Sequence, residues 1–223
     1  MKFSKNDILE LTERVKERLS EKRFKHTLSV VEMAKKIGMY FGDIDSSELC
    51  AAALLHDITK ELSYEEHIAI LTDGEVDFSD EDMKSSAILH SLSAPVLIRR
   101  DFSKFATDSL LSAVEKHTTG SDVMTLFDKI IFIADYVEDT RIYESCISVR
   151  KELFSNLSAD FDCSQNEHAV NKAVFDSLTF TENQLIKQGR VPNSRSLKAK
   201  KYIAALLSDE KVLFRYFAEW SRF

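Results

Sequence analysis

Helix-breaking residues are scarce in this chain, with five glycines and two prolines in 223 positions. Average usage would supply roughly 12% of the two together. That shortage excludes a collagen-like or Pro/Gly-rich disordered chain. It also disfavours a many-turned β-sandwich, whose corners need such residues. Cysteine is equally sparse. Cys50, Cys146 and Cys163 are odd in number and show no CxxC spacing, which speaks against structural zinc and against a disulfide framework. Cys50 opens an apolar run and reads as a small buried hydrophobe. No apolar run approaches the roughly 20 residues of a membrane span, and the start, MKFSK, leads into polar helix rather than an apolar signal core. These readings imply a cytoplasmic protein without a membrane partner. A surplus of positive charge is missing too. Thirty basic residues face 37 acidic ones, a net charge of −7, which argues against a nucleic-acid coat but leaves room for a local basic pocket.

What the chain does hold is 44% hydrophobic and 30% charged residues, in patterns of helical period. Ser4 and Asp7 form a helix-start signature, followed by Ile8, Leu11, Val15 and Leu19 at helical spacing. A second helix is predicted from Glu21 to about Gly42, with Phe24, Leu28, Val31, Ala34 and Ile37 on its inner side. A third is capped by Ser46 or Ser47 and runs to His56. Ser63 caps a fourth. The stretch from Thr72 to Asp82 holds six carboxylates and reads as an exposed acidic loop or turn. Further helices are predicted over 84–99, where Pro95 should kink or end the first part, and over 107–117 and 124–137. Helical patterns continue to Gln188, where Gly189 is placed to terminate them. A last aromatic helix spans 196–223. No period-2 strand pattern appears, so the expected class is all-α. The expected organisation is one domain over residues 1–200, with its core at 20–190, and a C-terminal aromatic extension over 201–223. Phe214, Phe217 and Trp220 in that extension suit packing or a self-association face, and a homodimer is compatible with them.

Four histidines occupy positions where the helical pattern calls for an apolar side chain: His26, His56, His90 and His117. His67 and His168 lie among acidic and amide neighbours and read as solvated. Asp57 and Asp135 each close an apolar run, where an unpaired carboxylate is costly. A divalent metal ion supplies the missing partner, and imidazole with carboxylate suits iron, manganese or zinc. A lone histidine on an apolar face is more often a satisfied core residue than a ligand. Six such residues in order, separated by 30, 1, 33, 27 and 18 positions, instead fit one ligand or ligand pair per helix of a bundle with a central site.

The order His…His-Asp…His…His…Asp resembles the HD-domain metal-dependent phosphohydrolases. The resemblance is closest to their YqeK branch, the bacterial symmetrical diadenosine-tetraphosphate hydrolases. The stretches that carry it are KRFKHTLSVVEMA (22–34), AALLHDITKEL (52–62), ILHSLSAPVLI (88–98), EKHTTG (115–120), MTLFDKIIFIADYVEDTR (124–141) and GRVPNSRSLKA (189–199). Asp139, in place of a usual proline, and Ser121, in place of a usual basic residue, depart from the pattern. The resemblance implies an HD-type helical bundle with a dinuclear centre, iron being favoured over manganese or another divalent ion. His26, His56, Asp57 and Asp135 would hold one ion and His90 and His117 the second, with Asp57 bridging. Two ions about 3.5–4 Å apart lower the pKa of a shared water and clamp the attacked phosphate. The implied reaction is symmetrical cleavage of diadenosine tetraphosphate to two ADP by a metal-bridged hydroxide. Lys60 and Arg141 would assist as cations, and Thr118 and Gly120 would offer a hydroxyl and a backbone amide to phosphate. Lys116, Lys129, Glu138 and Arg195 are weaker candidates, Glu138 as an orienting group. The alternatives are an HD enzyme acting on another nucleotide, or a nucleotide-binding regulator without turnover.

Overall fold

The computed structural model describes residues 1–83, 85–160 and 163–220; the side chains of Ser86 and of residues 209–220 lie outside that description. Among the described residues there is no strand, and no helix is long and apolar enough to cross a membrane. These residues form eleven α-helices: α1 (Lys5–Lys16), α2 (Glu21–Gly38), α3 (Ser46–Leu55), α4 (Tyr64–Asp73), α5 (Asp80–Met83), α6 (Ser86–Asp101), α7 (Asp108–Lys116), α8 (Leu126–Val137), α9 (Glu144–Asn156), α10 (Cys163–Lys187) and α11 (Ser194–Trp220). The all-α expectation therefore holds.

Local chemistry accounts for most boundaries. Reciprocal capping boxes start α1 (Ser4 with Asp7), α4 (Ser63 with Glu66) and α8 (Thr125 with Asp128), and Thr107 caps α7. The third helix corrects its expected cap. Asp45, rather than Ser46 or Ser47, accepts from the amides of Ser47 and Glu48, at 2.9 and 3.0 Å. Gly189 ends the α10 segment with φ +70°, and the Arg190 amide closes the turn onto the Leu185 carbonyl at 2.9 Å.

Packing sets the rest. α8, whose inner face is Ile130, Ile131, Ile133 and Ala134, lies against α2, α7 and α10 at the centre of one large core. α3 is buried all round and crosses α2 where Gly38 sits. A Cβ at Gly38 would lie 2.7 Å from Leu49 Cδ2, so this glycine allows the two helices to approach. Pro95 does not end α6; the helix runs through it. The lost backbone hydrogen bond is outweighed by burial on both sides, with Ala94, Leu97 and Ile98 all in the core. Leu28 is 39% exposed, because the buried stripe of α2 passes instead through Thr27, Val30, Val31, Ala34 and Ile37.

The acidic stretch 72–82 is also more ordered than expected. α4 runs on to Asp73, Val76 and Phe78 pack on a second small core of Leu71, Ile88, Leu89 and Leu92, and α5 follows. α5 is fastened to the start of α11. Glu81 accepts from the Ser194 amide at 2.7 Å and its hydroxyl at 2.6 Å, and buried Asp82 pairs with Arg195 at 3.2 Å. α11 itself continues unbroken past residue 200, with Ile203 buried. Of the C-terminal aromatics, the side chains of Phe214, Phe217 and Trp220 lie outside the described residues.

Candidate metal centre

Five helices deliver the candidate residues to one place. His26 projects from α2, His90 from α6 and Asp135 from α8. His56 and His117 cap the C-termini of α3 and α7, and Asp57 follows in the turn after α3. Asp57 stands at the middle. Its Oδ2 lies 3.5 Å from His56 Nε2 and 3.7 Å from His26 Nε2, while its Oδ1 lies 3.1 Å from His90 Nε2 and 3.5 Å from His117 Nε2. The two oxygens of one carboxylate thus face two separate histidine pairs. Asp135 Oδ1 closes the first side, 3.0 Å from His26 Nε2 and 3.9 Å from His56 Nε2. All six expected metal ligands lie within this cluster.

Neighbouring groups fix the direction of the rings. The Nδ1–H groups of His56 and His117 each donate to a carbonyl one turn back, Ala53 and Val114, both at 2.7 Å. A carbonyl only accepts, so Nδ1 carries a proton in both rings and Nε2 is the atom that each turns into the cluster, where it can ligate an ion. His26 Nδ1 lies 3.2 Å from Glu138 Oε1, and Glu138 is itself buried. Glu138 thus lies within hydrogen-bond distance of a candidate ligand. Thr59 donates its hydroxyl to the His90 carbonyl at 2.7 Å and so ties the turn after Asp57 to α6.

Electrostatics mark the cluster as incomplete by itself. Burial opposes ionisation of Asp57, yet the surrounding His56, His117 and His90 rings hold its carboxyl well below the usual range. Asp135 is likewise buried and likewise held low, by His26 and Arg141. Burial pushes His90 down to about 3. It also disfavours the charge on His26, but Asp135 and Glu138 outweigh it and raise that ring to about 9. His90 Nε2 and His117 Nε2 are only 3.0 Å apart. Nε2 of His26 and of His56 and Oδ1 of Asp57 are buried and make no well-directed hydrogen bond, their near neighbours being other members of the cluster. Buried polar atoms without partners are expensive, and divalent ions satisfy this donor set. Three groups of ligand atoms lie close enough to hold an ion: His26–His56–Asp57, His56–His117–Asp135 and Asp57–His90–His117.

Cations rim the cluster. Lys60 Nζ is 3.9 Å from Asp57 Oδ1 and 3.1 Å from His90 Nε2. A turn, rather than a continued helix, brings it back to the site. Burial lowers the pKa of this ammonium, and Asp57 partly offsets that. Arg141 reaches Asp135 Oδ1 at 2.9 Å. Thr118 places its hydroxyl 3.1 Å from the Nε2 atoms of both His90 and His117. Gly120 departs from its expected role. Its amide is already spent on the Lys116 carbonyl at 2.8 Å. Its φ is +67°, and a Cβ there would stand 2.7 Å from the Ala199 side chain, so it serves as a close-approach glycine. Lys116, Lys129 and Arg195 pair elsewhere, with Asp128, Glu167 and Asp82.

Two residues escaped the sequence reading. Arg23 lies one turn before His26, and its guanidinium is 2.8 Å from Asp57 Oδ2. Its position at i−3 from a candidate ligand was the available signal. His67 is corrected from solvated to buried, with its Nδ1 2.8 Å from Ser93 Oγ. Leu71, one turn on and also buried, marks the inward face that the flanking Glu65 and Glu66 disguise.

The HD domain family matches residues 23–139, a stretch that runs from Arg23 to just past Asp135 and contains every residue of the cluster. The chain belongs to the HD-domain family. Relatives extend the likeness beyond the HD domain itself. A Staphylococcus aureus protein named bis(5'-nucleosyl)-tetraphosphatase, symmetrical, is 29% identical over 88% of this chain and 93% of its own length. The Bacillus subtilis protein of the same name is 31% identical over 77% of this chain and 94% of its own. A crystal structure of an HD superfamily hydrolase from Clostridium acetobutylicum, described as involved in NAD metabolism, is similar with a TM-score of 0.76. It shares 30% identity and covers 91% of this chain and 98% of the other.

Proposed function

We propose that this HD-domain protein hydrolyses a dinucleoside polyphosphate, splitting diadenosine tetraphosphate symmetrically into two ADP at a centre of two divalent ions. The observation that carries the reading is the division of Asp57: one oxygen toward His26 and His56, the other toward His90 and His117. On this reading His26, His56, Asp57 and Asp135 hold one ion, and His90 and His117 hold the second with Asp57 between. Iron is favoured by the family resemblance, and the donor set also accepts manganese. When bound, such a pair supplies a water acidic enough to ionise at neutral pH and neutralises charge on the attacked phosphate.

The chain's own residues supply the rest. The carbonyl bonds to His56 and His117 fix those rings, so their Nε2 atoms need no reorganisation. Lys60, Arg141 and Arg23 form a cationic rim where charge spreads over phosphoryl oxygens in the transition state. Thr118 offers a hydroxyl at the junction of His90 and His117. Attack of water on one inner phosphorus breaks its bond to the central oxygen that links the two inner phosphorus atoms; the water oxygen stays on the attacked half, the central oxygen leaves with the other half, and both halves are ADP.

Anaerobic purification with metal analysis, followed by a product screen over dinucleoside polyphosphates and cyclic dinucleotides, tests the reading. The expected result is about two ions per chain and ADP as sole product from diadenosine tetraphosphate. ATP plus AMP would overturn the symmetry. Turnover of cyclic dinucleotides alone, or of nothing, would overturn the substrate assignment.

A further inference from the structure

Two cavities adjoin the candidate centre. The smaller, about 120 Å³, touches Lys60, His117, Thr118 and Asp135. The larger, about 670 Å³, lies beyond Thr118, between the first turn of α6 and the 190–193 segment. They share Thr118, Thr181, Leu185 and Ser196, so the two cavities lie side by side along these residues. We propose that the larger cavity is a nucleoside chamber, which seats one nucleoside of a dinucleoside polyphosphate while the phosphate chain lies across Thr118 at the cluster. The inference rests on the reading above and adds the place where a nucleoside is recognised.

The chemistry of the walls selects this class of ligand. Ala87, Ile88, Leu185 and Val191 give apolar surface for a base, and Ser85 gives a hydroxyl group for its edge or for a ribose. Charge there is balanced, with Arg190 against Glu81, so nothing favours a phosphate over a neutral group. The volume falls within the roughly 300–1,000 Å³ of small-molecule sites. Its rim is also fastened. Glu81 holds the Ser194 amide and hydroxyl, and Asp82 holds Arg195 and Asn193, across 113 and 111 positions of sequence. The acidic segment that the sequence offers as a loop thus fixes one wall of the chamber relative to the other. A polyphosphate without a nucleoside would leave this space unused, which gives the enzyme a physical means of preferring nucleoside-bearing substrates.

Two substitutions fill the chamber from opposite walls. Ala87 is exposed and lies one turn before His90, and Val191 is 90% exposed, so tryptophan at either displaces no buried contact. In the metal-loaded full-length protein, kcat/KM is compared for diadenosine tetraphosphate and inorganic tetraphosphate, which has no nucleoside to seat. Ala87→Trp and Val191→Trp are each expected to lower the ratio of the first to the second tenfold or more. Photolabelling with 8-azido-ADP, followed by peptide mapping, reads the chamber without turnover. Label is expected in segments 81–88 or 190–196 and is expected to be lost in both variants. An unchanged ratio, with label confined to other segments, overturns the chamber. Label in the chamber of a protein that does not split diadenosine tetraphosphate would overturn the proposed reaction and leave the chamber standing.

Discussion

Six ligand candidates were legible because each polar side chain interrupts an apolar helical face, a contradiction that only a partner in space resolves. Asp57 is the sharpest case, since it is buried and bonded to no hydroxyl or amide on the Oδ1 side. Asp57→Ala is expected to abolish both metal retention and hydrolysis while the helical circular dichroism stays intact; retained metal and activity would refute its bridging role. Arg23 was not legible, because between Lys22 and Lys25 it reads as one more surface charge on α2. Its guanidinium nevertheless meets Asp57 Oδ2, the oxygen that would face an ion. Arg23→Ala is expected to lower kcat/KM about tenfold or more with unchanged metal content, by removing a cation from the transition state. Loss of metal along with activity would assign Arg23 to holding Asp57 instead.

Helix boundaries were readable from caps, but helix contacts were not. Gly38 illustrates the difference, since nothing in its neighbourhood of sequence announces that α3 will pass against it. Gly38→Ala is expected to cost about 1–3 kcal/mol in urea unfolding, the range for overpacking, because Leu49 Cδ2 sits 2.7 Å from the new methyl. A neutral result would mean that Leu49 can turn away. The clasp between α5 and α11 was illegible for a related reason: Asp82 looks like one of six carboxylates until Arg195 arrives from 113 positions away. A pH signature belongs to the tie between α1 and α6. Arg100 first, and then Arg18, hold the Asp101 carboxyl down at about 2 against the opposing effect of burial. A folded-state value below the unfolded one stabilises above the unfolded pKa of about 4, and that stabilisation is lost as pH falls toward 2. Asp101→Asn is therefore expected to lower Tm slightly at pH 7 and to make no difference near pH 2. An equal effect at both would trace it to packing.

The scarcity of glycine and proline acquires a reason at the scale of the whole molecule. Ligand candidates spread from residue 26 to residue 135 converge because rigid helices set their directions, and four of the five glycines, Gly42 excepted, fall at helix ends or close approaches. Ions bound there would join five helices at once. A metal-loaded sample should accordingly unfold later than a chelated one, by about 2.7 kcal/mol when free metal exceeds its Kd a hundredfold. Equal Tm values with and without metal would speak against a centre built from these residues. The carbonyl bonds to His56 and His117 also make the apo protein readable by spectroscopy. An isolated neutral imidazole exchanges between two proton positions, whereas these two rings are each committed to one by a backbone acceptor at 2.7 Å. Nitrogen-15 spectra should therefore show two Nδ1–H tautomers before any ion is added, so that the folding of α3 and α7 sets the protonation pattern of the centre in advance.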